Sequence, residues 1–385
     1  MIIQTQDDLE DFCAALARGP YLTIDTEFLR DKTYYSKLCL IQMAGPDVEA
    51  RALDMIGTTL DWTPVYDLLV NENVLKVFHA ARQDLEIFYQ INGKIPHPIF
   101  DTQVAAMVCG YGDSISYSAL VQDITGHPLE KSAQFTDWSR RPLSQKQLTY
   151  ALNDVTYLRE VYEKLHDTLR KKGRESWVNA EMTILTTPET YDSHPENAWE
   201  RIKIRSDKPE VFAILKELAA WREATAQKKD VPRGRILKDE TLADLALYKP
   251  KDMEGLLRVR SLPKPVAKGE TGEKLVKLIK KAVQSPKDTW PRRENSRPFP
   301  KTARSTLEML KMLLKINTGE ADVTPKIIAS AQDMERLAAE DAPDIPALKG
   351  WRHEIFGKDA LRMKAGKLAL TLQDGEIRLI ELEEN

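Results

Sequence analysis

Residues 21–28, YLTIDTEF, decide how the first part of the chain folds. The segment is rich in β-branched and aromatic residues, and such segments favour β-strands. Alternate residues of a strand point to the same face of the sheet. Asp25 and Glu27 are two positions apart, so we expect their carboxylates to lie side by side at the end of an apolar strand.

A second pair of polar residues lies on a predicted helix. Residues 143–165, LSQKQLTYALNDVTYLREVYEKL, have apolar residues at helical spacing. Ser144 and Gln147 have the spacing of a capping box at its start. Tyr150 and Asp154 are four positions apart, which places them on one face of the helix.

A further carboxylate, Asp84, lies in HAARQDLEIF, residues 79–88. The preceding LKVFHA, residues 75–80, is predicted to be a strand, and Asp84 falls on the helix that begins just past it. The acidic residues are therefore predicted to converge at the end of a mixed sheet flanked by helices.

Several carboxylates held together repel one another and need compensating cations. Mg²⁺ prefers carboxylate oxygens and retained water, and the chain has no Cys-x-x-Cys or His-x-x-x-His motif that would indicate a softer metal. Two such ions, roughly 3.5–4 Å apart, can hold the attacking and leaving oxygens of a phosphodiester displacement. This is the chemistry that the acidic residues indicate.

Each of these signals is weak by itself. A lone Asp-x-Glu on a strand is more often solvated than catalytic, Asp84 alone would be a helix-surface carboxylate, and Tyr150 with Asp154 would be an ordinary helical pair. The set is far more specific, because each residue stands in the expected order and local setting.

These motifs resemble those of the DEDD exonuclease superfamily, in its tyrosine-bearing branch, and most closely those of the ribonuclease D family. The similarity extends to DTEFLRDKTYYSKLCLIQ (residues 25–42), IFDTQVAA (99–106) and TDWSRRPLSQKQLTYALNDV (136–155). It covers the first 200 residues strongly and the remainder more weakly. It implies an α/β ribonuclease H-like exonuclease domain with a mixed sheet flanked by helices, followed by all-α domains of the helicase-and-RNase-D C-terminal (HRDC) type.

The resemblance also implies roles for the acidic residues and the tyrosine. Asp25, Glu27 and Asp154 would bind two divalent metal ions, Mg²⁺ or Mn²⁺, with Asp25 bridging them. Asp84 would support the second ion through water. Tyr150 would orient the attacking water, because a phenol of pKa near 10 is a better hydrogen-bond partner than a base at neutral pH.

Four flanking residues are candidates for substrate binding. Phe28 and Leu29 would line the pocket of the terminal nucleotide, and Gln42 and His79 lie close enough to the motifs to help place the substrate. For each of the four, a packed or supporting side chain is an equally good interpretation.

The predicted domain organisation has four parts. Residues 1–205 form the exonuclease domain, and residues 206–285 an HRDC domain with Leu215, Leu218 and Trp221 in its core. The proline-rich residues 286–302 form a linker. Residues 303–385 form a second, diverged HRDC-like domain, in which alternating apolar residues about Asp374-Gly375 predict a C-terminal β-hairpin.

Charge is unevenly distributed along the 385 residues. The net charge is −3, yet residues 261–315 contain 14 Lys and Arg against 5 Asp and Glu. Such a stretch, with the HRDC region, could contact a nucleic-acid backbone, although a solvated linker with charged helix faces is the alternative. Three cysteines in apolar surroundings, an acidic N-terminus and the lack of an apolar run of about 20 residues predict a cytoplasmic protein without a membrane span.

The family resemblance implies a 3′ to 5′ exoribonuclease acting on RNA with an accessible 3′ end, with tRNA precursors as the expected substrate. Two other functions stay open. A 3′ to 5′ exodeoxyribonuclease would use the same chemistry at phosphorus, and a non-catalytic RNA-binding adaptor could keep the fold, although clustered carboxylates without metals would destabilise it.

Overall fold

The computed structural model describes residues 1–130, 132–293 and 299–382. The chain folds as two units. The first contains residues 1–27, 39–190 and the chain from 299, and the second contains residues 28–38 and 191–298. The predicted linker, residues 286–302, and the basic stretch each include residues 294–298, which lie outside the described residues.

A five-stranded sheet forms the centre of the first unit, with strand order β3-β2-β1-β4-β5. Strand β2 pairs antiparallel with β3, whereas β4 runs parallel to both β1 and β5. The predicted mixed sheet is thus confirmed. The strands are β1 (Tyr21–Leu29), β2 (Lys37–Ala44), β3 (Arg51–Asp54), β4 (Leu75–Phe78) and β5 (Ile99–Asp101).

Several helices accompany this sheet. The longest, α6, has 28 residues and begins with the predicted capping box, in which Ser144 and Gln147 bond reciprocally. It ends at Gly173, whose φ of 65° lies in the left-handed region that glycine adopts at low cost. The helices are α1 (Gln6–Ala17), α2 (Thr63–Leu69), α3 (Arg82–Asn92), α4 (Thr102–Cys109), α5 (Tyr117–Thr125), α6 (Gln145–Lys172) and α7 (Glu175–Leu185).

Helix α6 packs across strand β1, and buried hydrogen bonds set their register. The Tyr21 hydroxyl donates to Glu163 at 2.6 Å, and the Thr23 hydroxyl donates to the carbonyl of Val155 at 2.8 Å. Later residues of β1 therefore lie beside earlier residues of α6. The next residue of β1 on this face is Asp25, which comes to lie beside the N-terminal half of α6.

The second unit is mainly helical. Leu215 and Leu218 are fully buried in its core, as predicted, and Trp221 packs against that core while partly exposed. Residues 28–38 belong to this unit: the Tyr34 hydroxyl donates to Glu223 at 2.6 Å, and Asp230 accepts the Tyr34 backbone N–H at 3.0 Å. Its helices are α8 (Pro209–Lys229), α9 (Arg233–Ile236), α10 (Asp239–Tyr248), α11 (Met253–Leu257), α12 (Lys264–Lys268) and α13 (Glu270–Gln284).

The chain from residue 299 returns to the first unit. It contains α14 (Arg304–Ala321), α15 (Pro325–Ile328), α16 (Ala331–Ala339), α17 (Gly350–Arg352), α18 (Lys358–Lys364), and the antiparallel hairpin of β6 (Leu368–Gln373) and β7 (Glu376–Glu381). The Trp351 ring stacks on Trp177 of α7 at 4.6 Å between centroids, and Arg352 forms an ion pair with Glu181 at 2.7 Å. This segment therefore packs on the helices that accompany the five-stranded sheet.

Two further features are the burial of the cysteines and the apolar character of the helices. All three cysteines are buried. Burial raises the pKa of Cys13 to about 12 and that of Cys109 to about 11, so both remain thiols at neutral pH. Among the helices that the structure describes, we find none that combines the length and the apolar character needed to cross a membrane.

Candidate active site

Three carboxylates from two elements meet at the end of the sheet. Asp25 and Glu27 project from the same face of β1, as their spacing predicts. Asp154 approaches from α6, and oxygens of all three side chains lie within 4.8 Å of one another. The structure thus brings together residues that are separated by more than a hundred positions in sequence.

The electrostatics of this cluster are unfavourable. Burial raises the pKa of Asp25 well above its usual value, and the nearby charge of Asp154 raises it further. The pKa of Glu27 is raised by burial and then by Asp25, Asp154 and Asp84. Burial raises the pKa of Asp154 to about 7, although its hydrogen bond with Tyr150 opposes that change. Each shift means that the ionised cluster needs a positive charge nearby.

The donor set fits hard divalent cations. Across residues 1–130, 132–293 and 299–382, no lysine or arginine forms an ion pair with Asp25, Glu27 or Asp154. The oxygens are close enough to share one ion, and carboxylates are the ligands that Mg²⁺ and Mn²⁺ prefer. These three residues would therefore hold divalent metal.

Tyr150 lies beside the cluster on α6, one turn before Asp154. Burial raises the pKa of its phenol, and the charges of Asp154, Glu27 and Asp25 raise it further. The phenol therefore stays protonated at any physiological pH. In that form it can donate and accept hydrogen bonds, and its role in orienting the attacking water stays a prediction.

Asp84 occupies a different position from the other three carboxylates. It is buried on α3 and accepts a hydrogen bond from the hydroxyl of Thr26, whose side chain points to the other face of β1 from Asp25. It lies outside the close cluster, yet its charge raises the pKa of Glu27, and the charge of Asp25 raises that of Asp84 after burial. Asp84 is thus within electrostatic reach of the site without joining it directly.

Asp101 is a supporting residue that the sequence reasoning missed. Its carboxylate accepts backbone N–H groups of Ala80 and Ala81 at 2.9 Å each, and of Gln103 at 2.8 Å. Ala80 has a φ of 61°, a left-handed conformation that is unfavourable for alanine. Asp101 therefore holds the strained turn from which α3 begins and so positions Asp84. Asp101 lies in the IFDTQ motif, but no local sequence pattern indicated that it would bind the backbone of the turn at Ala80 and Ala81.

An open cleft of about 260 Å³ lies over the three carboxylates. Of the four predicted substrate residues, His79 is part of its lining. The His79 ring packs against Tyr117 at 5.5 Å and faces Thr102 at 3.0 Å through Nδ1. The lining residues are Asp25, Thr26, Glu27, His79, Ser116, Tyr117, Ser118, Leu129, Glu130, Gln134, Tyr150, Asp154 and Leu158.

Tyr117 is a second residue of the cleft that sequence reasoning missed. Its hydroxyl donates to the carbonyl of Asn153 at 3.0 Å, immediately before Asp154. Burial raises the pKa of Tyr117 well above its usual value, and the charges of Asp154 and Asp25 add to this rise. The phenol is therefore an uncharged wall of the cleft next to the carboxylates.

The other predicted substrate residues do not line this cleft in the part of the chain described. Gln42 is fully buried in β2, and neither polar atom of its amide finds a hydrogen-bond partner among the described residues. Phe28 and Leu29 are partly exposed at the end of β1, in the segment assigned to the second unit. A role of these three residues in substrate binding stays a prediction.

Two family models match the chain. Residues 1–170 match a model described as 3′-5′ exonuclease, and residues 211–279 match the HRDC domain. The first match contains all five residues of the predicted catalytic set, and the second contains α9 to α12 and most of α8 and α13.

Full-length relatives are also similar. A protein of Nitrobacter hamburgensis named ribonuclease D is 49% identical over 380 residues, covering 99% of each chain. A ribonuclease D of Bartonella henselae is 44% identical over 99% of this chain and 94% of its own. The crystal structure of Escherichia coli RNase D, described as an exoribonuclease involved in structured RNA processing, superposes with a TM-score of 0.82 at 28% identity, covering 94% of this chain and 98% of that one.

The repulsion in the cluster predicts an effect on stability. Asp154→Asn keeps the side-chain shape and removes one of the three close charges, so in EDTA the variant should melt roughly 2–4 °C above the wild type, corresponding to about 1 kcal/mol. Mg²⁺ should raise the melting temperature of the wild type and leave that of the variant nearly unchanged. Differential scanning fluorimetry measures both.

Glu160→Gln, an exposed carboxylate on the same helix, is the matched control and should behave as the wild type. If Asp154→Asn melts lower than the wild type in EDTA, the cluster is not under electrostatic strain.

Proposed function

This chain belongs to the ribonuclease D family of 3′ to 5′ exoribonucleases, and we propose that it removes nucleotides at a two-metal site built on Asp25, Glu27 and Asp154. The observation that carries this proposal is the packing of three carboxylates within 4.8 Å without a basic partner among the described residues. A non-catalytic adaptor would gain nothing from this costly arrangement, which disfavours that alternative.

The four carboxylates would have different roles at the metal site. Two bound divalent ions would supply a nucleophilic water at neutral pH and stabilise charge on the phosphate oxygens. Asp25, Glu27 and Asp154, whose oxygens lie within 4.8 Å of one another, would hold these ions. Asp84 lies outside the close cluster, and we propose that it supports the site through water.

Tyr150 has the properties of a positioning group. It stays protonated, and it lines the cleft together with Asp154. We infer that its hydroxyl orients the attacking water and holds no negative charge during the reaction. His79 and Tyr117 form one wall of the cleft, and we infer that they contact the terminal nucleotide.

RNA with an accessible 3′ end is the substrate that we propose, and tRNA precursors are the expected physiological class. The E. coli relative is described as acting in structured RNA processing, which supports this choice for the present chain. The alternative, a 3′ to 5′ exodeoxyribonuclease, would use the same carboxylates. The two differ only in how the site receives the 2′-hydroxyl.

The second unit offers a surface for the RNA backbone. Helix α13 buries Leu275, Val276 and Ile279, and the same helix exposes Lys274 and Lys277 to solvent. Lysines on an exposed helix face neutralise phosphates without reading sequence. We infer that this HRDC region adds salt-sensitive affinity for RNA.

Two further proposals concern organisation and location. The domain boundaries at residues 205, 285 and 302 stay proposals, with residues 303–385 as a second HRDC-like domain that carries the hairpin. The buried thiols fit a reducing compartment, so we propose the cytoplasm as the site of action.

The function is tested by degradation of matched substrates. Purified protein is incubated with a 3′-tailed tRNA and with single-stranded DNA of the tail sequence, with Mg²⁺, with Mn²⁺ and with EDTA. We expect RNA to be shortened one nucleotide at a time only when a divalent ion is present, and Asp25→Ala to be inactive but folded. Faster cleavage of DNA than of RNA would support the exodeoxyribonuclease alternative.

The Tyr150→Phe variant separates positioning from metal binding. Because the hydroxyl only orients a reacting group, kcat should fall by roughly 10²- to 10⁴-fold, while metal affinity stays within a few-fold of wild type. Calorimetric titration of Mn²⁺ and single-turnover kinetics measure the two effects. Collapse of metal binding in Tyr150→Phe would make the residue structural rather than positioning.

The lysine face of α13 is tested by salt dependence. Lys274→Gln with Lys277→Gln should weaken tRNA binding at low salt and reduce the slope of log K against log salt by roughly 1.4–1.8 units. Cleavage of a trinucleotide should be unchanged. The matched control is Lys94→Gln with Lys164→Gln, two exposed lysines of the first unit. Equal slopes for both double variants would mean that α13 is only a solvated face.

A further inference from the structure

Phe135 is the most exposed of the large apolar side chains that the structure describes, at 92%. Leaving a phenylalanine in water forgoes the free energy that its burial would contribute. Single exposed apolar residues are common on protein surfaces. The case for a function of Phe135 therefore depends on where the residue stands and how firmly it is held.

A tight turn presents Phe135 to solvent. The backbone N–H of Thr136 donates to the carbonyl of Ala133 at 3.1 Å, so Gln134 and Phe135 are the two central residues of a β-turn. Ala133 is almost fully buried, and the Thr136 hydroxyl accepts from the Gln147 side chain at 3.2 Å. Gln147 lies one turn before Tyr150 on α6. The hydrogen bond to Gln147 thus holds the turn against α6, the helix that contains Tyr150 and Asp154.

The segment that follows the turn is anchored just as firmly. Trp138 is 2% exposed, and Arg141 forms a partly buried ion pair with Asp54 at 2.5 Å at the end of β3. Arg141 also donates to the carbonyl of Cys39 at 3.1 Å. Phe135 thus projects from a backbone held on both sides, so its exposure is a property of a fixed surface.

The neighbours of Phe135 line the path into the site. Gln134 lines the catalytic cleft, and Thr136 lines an adjoining hollow of about 440 Å³ that also contains Arg140 and Lys146. A third hollow, of about 520 Å³, shares Tyr150 with the catalytic cleft and Lys146 with the second hollow. Phe135 is therefore flanked in the chain by one residue of the catalytic cleft and one of the second hollow. The exposed cations of that second hollow are ion-paired, Arg140 with Asp137 at 3.3 Å and Lys146 with Glu130 at 4.0 Å.

We propose that Phe135 is a stacking platform for an unpaired base of the RNA strand next to the nucleotide being removed. An exposed aromatic face on which a base can stack binds single-stranded nucleic acid without reading its sequence. The inference rests on the exoribonuclease function and adds a substrate contact outside the catalytic cleft.

Three variants test the stacking contact. On a single-stranded RNA of about twelve nucleotides, Phe135→Ala should raise KM by roughly 5- to 150-fold, corresponding to the range measured for base stacking, with kcat within about two-fold. Phe135→Trp should retain wild-type KM, and Phe135→Leu should resemble Phe135→Ala. Ile184→Ala, another exposed apolar residue of the first unit, is the matched control. The melting temperature should be the same in all four variants.

RNA with one abasic residue, placed in turn at the second, third and fourth positions from the 3′ end, identifies the base. At one of these positions, the abasic residue should lower the affinity of the wild type by as much as the Phe135→Ala substitution lowers affinity for intact RNA. The same abasic RNA should bind Phe135→Ala no more weakly than intact RNA does. An unchanged KM for Phe135→Ala, or additive losses at every abasic position, would overturn the proposal. Fluorescence anisotropy of the same RNAs in EDTA reads the contact without catalysis, so failure of the contact is distinguishable from failure of the nuclease function.

Discussion

The docking of α6 across β1 is the contact on which the candidate site depends. Two hydrogen bonds set its register, from Tyr21 to Glu163 and from Thr23 to the backbone of Val155. Because both elements are regular, fixing these two points also fixes where the next residues of each fall. Asp25 therefore meets Asp154, and a slip of one residue on β1 would turn both of its carboxylates to the other face of the sheet.

That register brings like charges together, and their repulsion contributes unfavourably to the free energy of folding. Burial and mutual repulsion raise the pKa values of Asp25 and Glu27, which means that the ionised site opposes folding when no cation is present. The surrounding contacts compensate for this cost: the long capped helix, the buried sheet and the segment from residue 299 that packs on α7. Affinity for divalent ions follows from the same repulsion.

Two pinned loops extend the site beyond its carboxylates. Asp101 holds the strained turn at Ala80 and with it the start of α3. Arg141 holds the segment after Phe135 against Asp54. Burial acts to raise the pKa of Asp54, but hydrogen bonds from the Arg141 guanidinium and from the amides of Gly57 and Ile56 outweigh burial and lower this pKa overall. Both loops use a buried carboxylate to hold backbone or a guanidinium, so both present side chains at fixed positions around the cleft.

The sequence by itself determined every relation that lies within one element. The pairing of Asp25 with Glu27 follows from the two-residue period of a strand, and that of Tyr150 with Asp154 follows from the helical repeat. The capping box at Ser144 follows from side-chain chemistry three residues apart. The family resemblance supplied the order in which these local pairs combine, and with it the mixed sheet and the HRDC helices.

Only the tertiary structure decided the relations between elements. It set Asp84 against Thr26, 58 positions away, and Tyr117 against His79. It also buried Gln42, used Asp101 to hold a distant turn, and left Phe135 in solvent next to Gln134, which lines the cleft. No local period encodes such contacts, because they arise when the packing of the whole sheet and its helices brings remote segments together.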